Sequence, residues 1–339
     1  MNILKITYNN FAMDFYIQEW VEVIEGGKNT NTYKPAFAKA LLECISANRY
    51  FFINPDTAMV DFLDIAECMI RYYWNQLFFF KLRQQPGDKV PVVYQCVNAL
   101  IEKYKELRQT SIACWADEGL KYIKDKAGAS FYETFLKKAA LTLNKDVAYR
   151  LPIVNGIEYP IYSFNKKDSS KLYLKREEID KLKEFSSILI PLINYRWSLL
   201  LEKYNNSPNI LLKVKNTSNN SIHRNDLSEF KNFLVKNEFL NQKPIDFYSG
   251  ILIPEKEISV DHVIPWSFLY RDDIWNLVLT TRSNNSIKSN NKPNEAIIYN
   301  LEKRNKILYG KLPDGKYKAS LKEAIDCGLV RSYYYQMMS

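Results

Sequence analysis

The residues with the clearest chemical potential lie in one stretch of the last third of the sequence. Asp261 and His262 stand side by side, Asn276 and Asn285 follow them, and the chain holds only 2 histidines. Histidine titrates nearest to neutral pH, so His262 suits the role of a general base. The Asp261 carboxylate and the Asn285 amide offer the oxygen ligands that a hard cation such as Mg²⁺ prefers. Together they favour metal-assisted hydrolysis of a phosphodiester, in which negative charge builds up on oxygen.

This prediction carries a geometric condition. Neighbouring side chains on a strand point to opposite faces, so Asp261 and His262 serve one site only if the backbone bends near them. Pro265 and the loop after it are compatible with such a bend. The alternative for an isolated Asp-His pair is a capping or core histidine. The two asparagines that follow the pair favour the site over that alternative.

The residues DHVIPWSF, DDIWNLVLTTRSNNSIK and SNNKPN carry a resemblance to a known family. Over residues 243–310 the chain resembles the HNH, or ββα-metal, endonucleases in their HNN-type variant. It is similar to the HNH domains of RNA-guided CRISPR nucleases and of bacterial restriction and defence enzymes. The resemblance implies an antiparallel hairpin that carries the Asp-His pair, then a loop, and then a helix that supplies the last metal ligand.

The resemblance also assigns a role to each of the four residues. His262 corresponds to the general base, and Asn276 to the asparagine that orients the loop and the histidine. Asp261 and Asn285 correspond to the metal ligands. The implied cofactor is Mg²⁺, with Mn²⁺ as a substitute, and the implied reaction is endonucleolytic cleavage of DNA.

One feature of the family is missing from this sequence. Many relatives bind a structural zinc through a Cys-x-x-Cys knuckle before the Asp-His strand, where this chain has Asp246 and Ser249. Zinc in such sites is held by thiolates or imidazoles, so we predict no structural zinc here. We expect the turn to be stabilised by packing of apolar side chains instead: Phe247, Tyr248, Ile251 and Ile253.

Basic residues accompany the predicted site. Lys288 lies one helical turn beyond Asn285, and we predict that Lys288 and Arg282 contact DNA phosphates. The alternative is a solvated basic face. The net charge of +9 favours a polyanionic partner, although many basic proteins bind no nucleic acid. Asp272 and Asp273 are predicted to cap or turn the loop and to lie outside the metal site.

The whole chain is predicted to be an α+β protein with a mostly helical N-terminal region. We predict a helical domain over 1–145, and a mixed lobe with helices over 146–240 that contacts the substrate or a partner. A nuclease domain follows over 241–310, and a C-terminal tail over 311–339 packs on it.

Local patterns add four expectations. Apolar residues from Met59 to Phe80 predict a helical stretch, whose aromatic rings more often form a core than stack on bases. Pro191 predicts a kink in a helix or the start of a second one. The polar segment 216–225 predicts a mobile loop, and His223 within it a solvated residue rather than a metal ligand.

Composition limits the environment and the partners. The 5 cysteines are scattered and form neither a metal spacing nor a disulfide framework, which favours a reducing cytoplasm. We find no apolar run of about 18 residues and predict no membrane partner. The predicted function is cleavage of double-stranded DNA in restriction or anti-phage defence. The alternatives are a gated effector subunit of a defence complex, inactive alone, and an RNA nuclease.

Overall fold

A computed structural model of the chain describes residues 14–27, 29–87, 90–165, 170–215, 226–240 and 242–339. The segment 216–225, with His223, lies outside the described residues. The chain divides into two compact units. The first unit comprises Met1–Thr110 and Cys114–Tyr204, and the second comprises Ser111–Ala113 and Asn205–Ser339.

The first unit is mainly helical, as predicted. Its α-helices are α1 (Phe15–Gly26), α2 (Tyr33–Ser46), α3 (Phe62–Trp74), α4 (Val92–Arg108), α5 (Ala116–Ala127), α6 (Ala129–Thr142) and α7 (Arg176–Glu202). Single π-helical turns extend α3 and α6 over Asn75–Phe79 and Leu143–Val147. Pro191 lies inside α7, so it does not start a second helix. The aromatic run from Tyr72 to Phe80 is buried, which confirms its core role.

A small antiparallel sheet completes the first unit. The strands β1 (Phe51–Asn54), β2 (Thr57–Asp61), β5 (Ser163–Phe164) and β6 (Lys171–Lys175) pair in the order β1-β2-β6-β5, beside a separate pair of β3 (Ile153–Val154) and β4 (Ile157–Glu158). The prediction of a helix from Met59 is therefore wrong for residues 59–61. Ala58 and Val60 are buried in alternation, as a half-buried strand requires, and α3 begins only at Phe62.

The second unit contains a two-stranded antiparallel sheet together with seven α-helices in the part that the structure describes. The strands are β7 (Ile258–His262) and β8 (Leu277–Thr281). Asp261 pairs with Val278, and His262 pairs with Leu277. The helices are α8 (Ile210–Lys215), α9 (Ser228–Glu238), α10 (Trp266–Leu269), α11 (Arg282–Lys288), α12 (Glu295–Lys311), α13 (Lys316–Asp326) and α14 (Leu329–Met338). The predicted antiparallel strand pair and the helix that carries Asn285 are confirmed, but the loop lies between the two strands rather than after them, and α11 follows β8 directly.

The C-terminal helices support the loop that leads into β8. The Arg304 guanidinium in α12 donates to the carbonyls of Ile274 and Leu277, at 3.2 and 2.7 Å. The Trp275 ring stacks on Tyr333 of α14 with a centroid distance of 5.8 Å. Because these contacts are buried, the loop is held on the same core as the two strands. Within the described ranges, every helix is too short or too polar to cross a bilayer.

Candidate active site

Asp261 is a buried carboxylate near the end of β7. Its Oδ2 atom accepts a hydrogen bond from the Tyr248 hydroxyl and lies 2.9 Å from Nζ of Lys288. Burial and the neighbouring Asp261 carboxylate both raise the pKa of the Tyr248 phenol, which therefore keeps its proton. A buried carboxylate needs such partners, because an unpaired charge away from water is costly.

Lys288, the last residue of α11, directs its ammonium group to the same place. Nζ also donates to the main-chain carbonyl of His262, and the side chain is only 12% exposed. Burial lowers the pKa of the Lys288 amine, although the Asp261 carboxylate acts in the opposite direction. The predicted contact with a DNA phosphate would require this ammonium group to leave Asp261. Arg282, at the start of α11, is exposed.

The side chain of His262 engages a different partner. Its Nε2 atom lies 2.7 Å from Oδ1 of Asp272, which belongs to the loop between α10 and β8. Asp261 and His262 are therefore neighbours at the end of β7. The Asp261 side chain contacts Lys288 of α11, whereas the His262 side chain contacts Asp272 of this loop. Sequence reasoning placed Asp272 in a capping role, since nothing in the sequence distinguished it from Asp273.

Asn276 is fully buried and holds the segment that follows His262. Its Oδ1 accepts from the backbone N–H of Ile264 at 2.8 Å, and its Nδ2 donates to the Ile264 carbonyl at 2.9 Å. The Asn276 carbonyl also accepts from the N–H of Val263 at 3.0 Å. An amide side chain presents an acceptor and a donor side by side, which suits the N–H and the carbonyl of one residue. Its described side-chain contacts are with the loop rather than with the ring of His262.

Asn285 docks helix α11 against β7. Its Nδ2 donates to the Ser259 hydroxyl at 3.0 Å and to the Val260 carbonyl at 3.2 Å. Both hydrogen bonds use the amide nitrogen, so they leave the amide oxygen to a ligand. Thr281 caps the helix, with its hydroxyl accepting from the N–H of Asn284 at 3.1 Å.

The site suits a cation. The ammonium group of Lys288 already lies between the Asp261 carboxylate and the His262 carbonyl, so these oxygens stabilise positive charge there. Oxygen donors are also the ligands of a hard divalent ion. In the part of the chain that the structure describes, no group of three or more His, Cys, Asp or Glu could hold a metal. A cation here would thus depend on Asp261, the Asn285 amide and water.

Asp246, which stands where the sequence resemblance would place a zinc-binding cysteine, organises the turn with hydrogen bonds. Its Oδ1 accepts two of them and its Oδ2 three, from the N–H groups of Tyr248, Ser249 and Thr281, the Thr280 hydroxyl and the Asn284 amide. Burial acts to raise the pKa of Asp246, but these hydrogen bonds outweigh it and lower the pKa below 3.8. One carboxylate thereby joins the turn to β8 and α11.

Apolar packing contributes to this turn only in part. Phe247 and Tyr248 pack against the core of the second unit, and Ile253 belongs to it. Ile251, however, is 67% exposed, so the predicted packing is wrong for this residue. The turn therefore combines this partial apolar packing with the hydrogen bonds of Asp246.

The four predicted catalytic residues fall within a recognised family segment. Residues 246–294 match the family described as HNH endonuclease, which confirms the resemblance for that segment. The chain thus contains an HNH domain, a kind of domain that generally depends on a divalent metal and suggests nuclease activity on nucleic acid.

A second family model matches a longer part of the chain, which begins near the N-terminus. No curated protein and no solved structure matches the chain. Residues 17–220, more than half of the chain, match the family described as domain of unknown function (DUF8808). The chain therefore belongs to the DUF8808 family, and its HNH endonuclease segment follows the region that defines that family.

Proposed function

We propose that the protein is an endonuclease that hydrolyses phosphodiester bonds of double-stranded DNA with Mg²⁺, for which Mn²⁺ can substitute. One observation carries this proposal. Within the HNH segment, the ammonium group of Lys288 lies between the Asp261 carboxylate and the His262 carbonyl, which is a place where a metal cation could bind. The net charge of +9 favours a polyanionic substrate.

Each site residue has a task in the proposed reaction. Asp261 and Asn285 would hold the ion through a carboxylate and an amide oxygen. When bound, the ion supplies positive charge that stabilises the leaving oxygen. His262 accepts a proton from water, whose oxygen attacks phosphorus. Asn276 keeps the segment after His262 in place, as residues behind the reacting groups commonly do.

Phosphate contacts would come from the two predicted basic residues. Arg282 is exposed and needs no rearrangement to meet a phosphate. Lys288 is held by Asp261, so we propose that it turns to a phosphate once a metal ion takes its place. The same side chain then neutralises the carboxylate in the free enzyme and binds the substrate in the complex.

We propose restriction or anti-phage defence in the cytoplasm as the biological setting. The five cysteines are free thiols, four of them buried, which suits a reducing compartment. The helical first unit would select the substrate or control access to it. This assignment rests on the resemblance to defence enzymes, because a fold alone does not settle a role.

A gated effector subunit of a defence complex is the second proposal. It is favoured by the pairing of Asp261 with Lys288 and Tyr248, since a proposed metal ligand is already engaged. In this form the protein would bind nucleic acid but cut only after a protein partner or a signal displaces Lys288.

Incubation of the purified chain with supercoiled plasmid tests both proposals. We expect nicking or linearisation with Mg²⁺ or Mn²⁺, none with EDTA, and none by the His262→Ala variant. Cleavage that survives in His262→Ala would contradict the proposed base. DNA binding without cleavage by the folded wild type would favour the gated effector. A parallel arm with double-stranded RNA identifies RNA as the substrate if only RNA is cut.

A further inference from the structure

We infer that Asp272 is a positioning residue for His262, which it holds in the tautomer with the proton on Nε2 and the basic lone pair on Nδ1. This inference rests on the proposed function for its catalytic meaning, but its structural content can be tested without activity. Asp272, which was predicted from the sequence only to cap or turn the loop, thereby acquires a role in orienting His262.

The first support is the contact itself. Oδ1 of Asp272 lies 2.7 Å from Nε2 of His262, and the two side chains are 8% and 13% exposed. Such a distance is typical of a charge-assisted hydrogen bond. An ionised carboxylate only accepts hydrogen bonds, so the nitrogen that faces it has to carry a proton. A neutral imidazole has a single N–H, which leaves the lone pair on Nδ1.

The second support is the way in which the loop is fixed. Asn276 donates its backbone N–H to the Asp273 carbonyl at 2.9 Å, while its side chain bonds to the backbone of Ile264. One buried residue therefore ties the loop that carries Asp272 to the segment that follows His262. Tyr270, in the left-handed conformation with φ 58°, ends α10 and turns the chain into this loop.

The arrangement has a direct consequence for the reaction. A water O–H bond breaks as its proton moves to Nδ1, the water oxygen forms a bond to phosphorus, and the bond from phosphorus to the leaving oxygen breaks. The ring becomes a cation that faces the Asp272 carboxylate, which stabilises it. The proton then passes to the leaving oxygen or to solvent. Asp272 takes up no proton in this sequence and acts only through the ring of His262.

Nitrogen NMR of the histidine rings tests the tautomer directly. In the metal-free full-length protein labelled with ¹⁵N-histidine, only His262 and His223 give ring signals, and His223→Gln assigns them. We expect neutral His262 to show a protonated Nε2 and an unprotonated Nδ1. A protonated Nδ1 in the wild-type protein would overturn the inference, and this measurement needs no variant at position 272.

Two matched variants separate the specific contact from the general charge of the loop. Asp272→Asn removes the carboxylate that selects the tautomer, and we expect the ring signals to shift toward a mixture of both tautomers. Asp273→Asn makes the same charge change one residue away and is expected to leave the signals unchanged. Equal shifts in the two variants, or none in Asp272→Asn, would contradict the assignment.

Steady-state kinetics then tests the catalytic meaning. We expect Asp272→Asn to lower kcat by about tenfold or more without a change in KM, because only part of the rings then carries the lone pair on Nδ1 and the cationic ring loses the carboxylate beside it. Asp273→Asn, which removes no described hydrogen bond to the His262 ring, should lower kcat far less than Asp272→Asn. A rise in KM without a fall in kcat would show a substrate contact instead and overturn the positioning role. If the folded wild-type protein binds DNA but cleaves nothing, the free-standing endonuclease is contradicted and the gated effector is favoured, while the tautomer result stands on its own.

Discussion

Two buried carboxylates of the second unit, those of Asp246 and Asp261, differ in the groups that donate hydrogen bonds to them. Asp246 accepts five hydrogen bonds from backbone N–H groups and short polar side chains. Asp261 faces a phenol and the ammonium group at the end of a flexible lysine. Donors on the backbone cannot leave without unfolding the turn, whereas a lysine side chain can rotate away. This difference favours a structural role for Asp246 and is consistent with the proposed exchange of Lys288 for a metal ion at Asp261.

The largest expected difference between the two carboxylates is in metal affinity, which should depend on Asp261 and not on Asp246. Asp261→Asn removes the proposed charged ligand, and we expect the affinity for Mn²⁺ to fall by about 10²–10³-fold, as expected for one charge lost near a cation. Asp246→Asn makes the same chemical change in the same segment and should leave the affinity nearly unchanged. Titration calorimetry of both variants checks this. An equal loss in the two would break the distinction.

For the free energy of unfolding, we expect the reverse order, with the larger loss at Asp246. In Asp246→Asn the amide nitrogen cannot accept the hydrogen bonds of the oxygen it replaces. We expect the free energy of unfolding to fall by about 2–4 kcal/mol, because buried donors are left without partners. Asp261→Asn should lose less, since its amide oxygen still accepts from Tyr248 and Lys288 can turn to solvent. Urea unfolding followed by circular dichroism compares them, and a larger loss in Asp261→Asn would contradict the assignment.

The exchange proposed for Lys288 predicts a gain of metal affinity. Lys288→Met keeps the length and apolar stem of the side chain but removes the ammonium group that competes with the cation. We expect the affinity for Mn²⁺ to rise by about tenfold or more. Arg282→Gln removes an exposed charge from the same helix and serves as the control. Unchanged or weaker binding by Lys288→Met would mean that the lysine does not compete for the site.

The smallest expected effect is the loss of stability in acid, where protonation of Asp246 weakens its hydrogen bonds. Its folded pKa lies below the ordinary value of 3.8, so its stabilising effect is complete above that pH and is lost as pH falls toward the folded pKa. We expect the free energy of unfolding to decline below about pH 4 in the wild type, with a smaller decline in Asp246→Asn. Parallel acid dependence in both proteins would show that other groups control this range.

The sequence was sufficient to predict the HNH segment and to single out four candidate site residues within it. Asp261, His262, Asn276 and Asn285 are close in the chain, and strand pairing places them by local rules. The observed hairpin and helix α11 follow that expectation. The roles assigned to these four residues stay predictions, since they depend on a metal ion and a substrate.

The contacts that complete the site were not predictable in the same way. The contact between Asp272 and His262 depends on the path of a loop, which Asn276 fixes through hydrogen bonds that no periodicity reveals. The role of Asp246 likewise depends on donors more than thirty positions away. Strand β2 was missed because its short alternating pattern directly precedes an apolar helix.

Single-turnover cleavage of a double-stranded oligonucleotide by the His262→Gln variant tests the proposed site most directly. The glutamine amide can still donate to Asp272, so the loop keeps its contact while the base is lost. We predict that the variant keeps the wild-type melting temperature and Mn²⁺ affinity but cleaves about 10²–10⁴-fold more slowly. Cleavage at the wild-type rate by this folded, metal-binding variant would show that His262 is not the base and that the chemistry lies elsewhere.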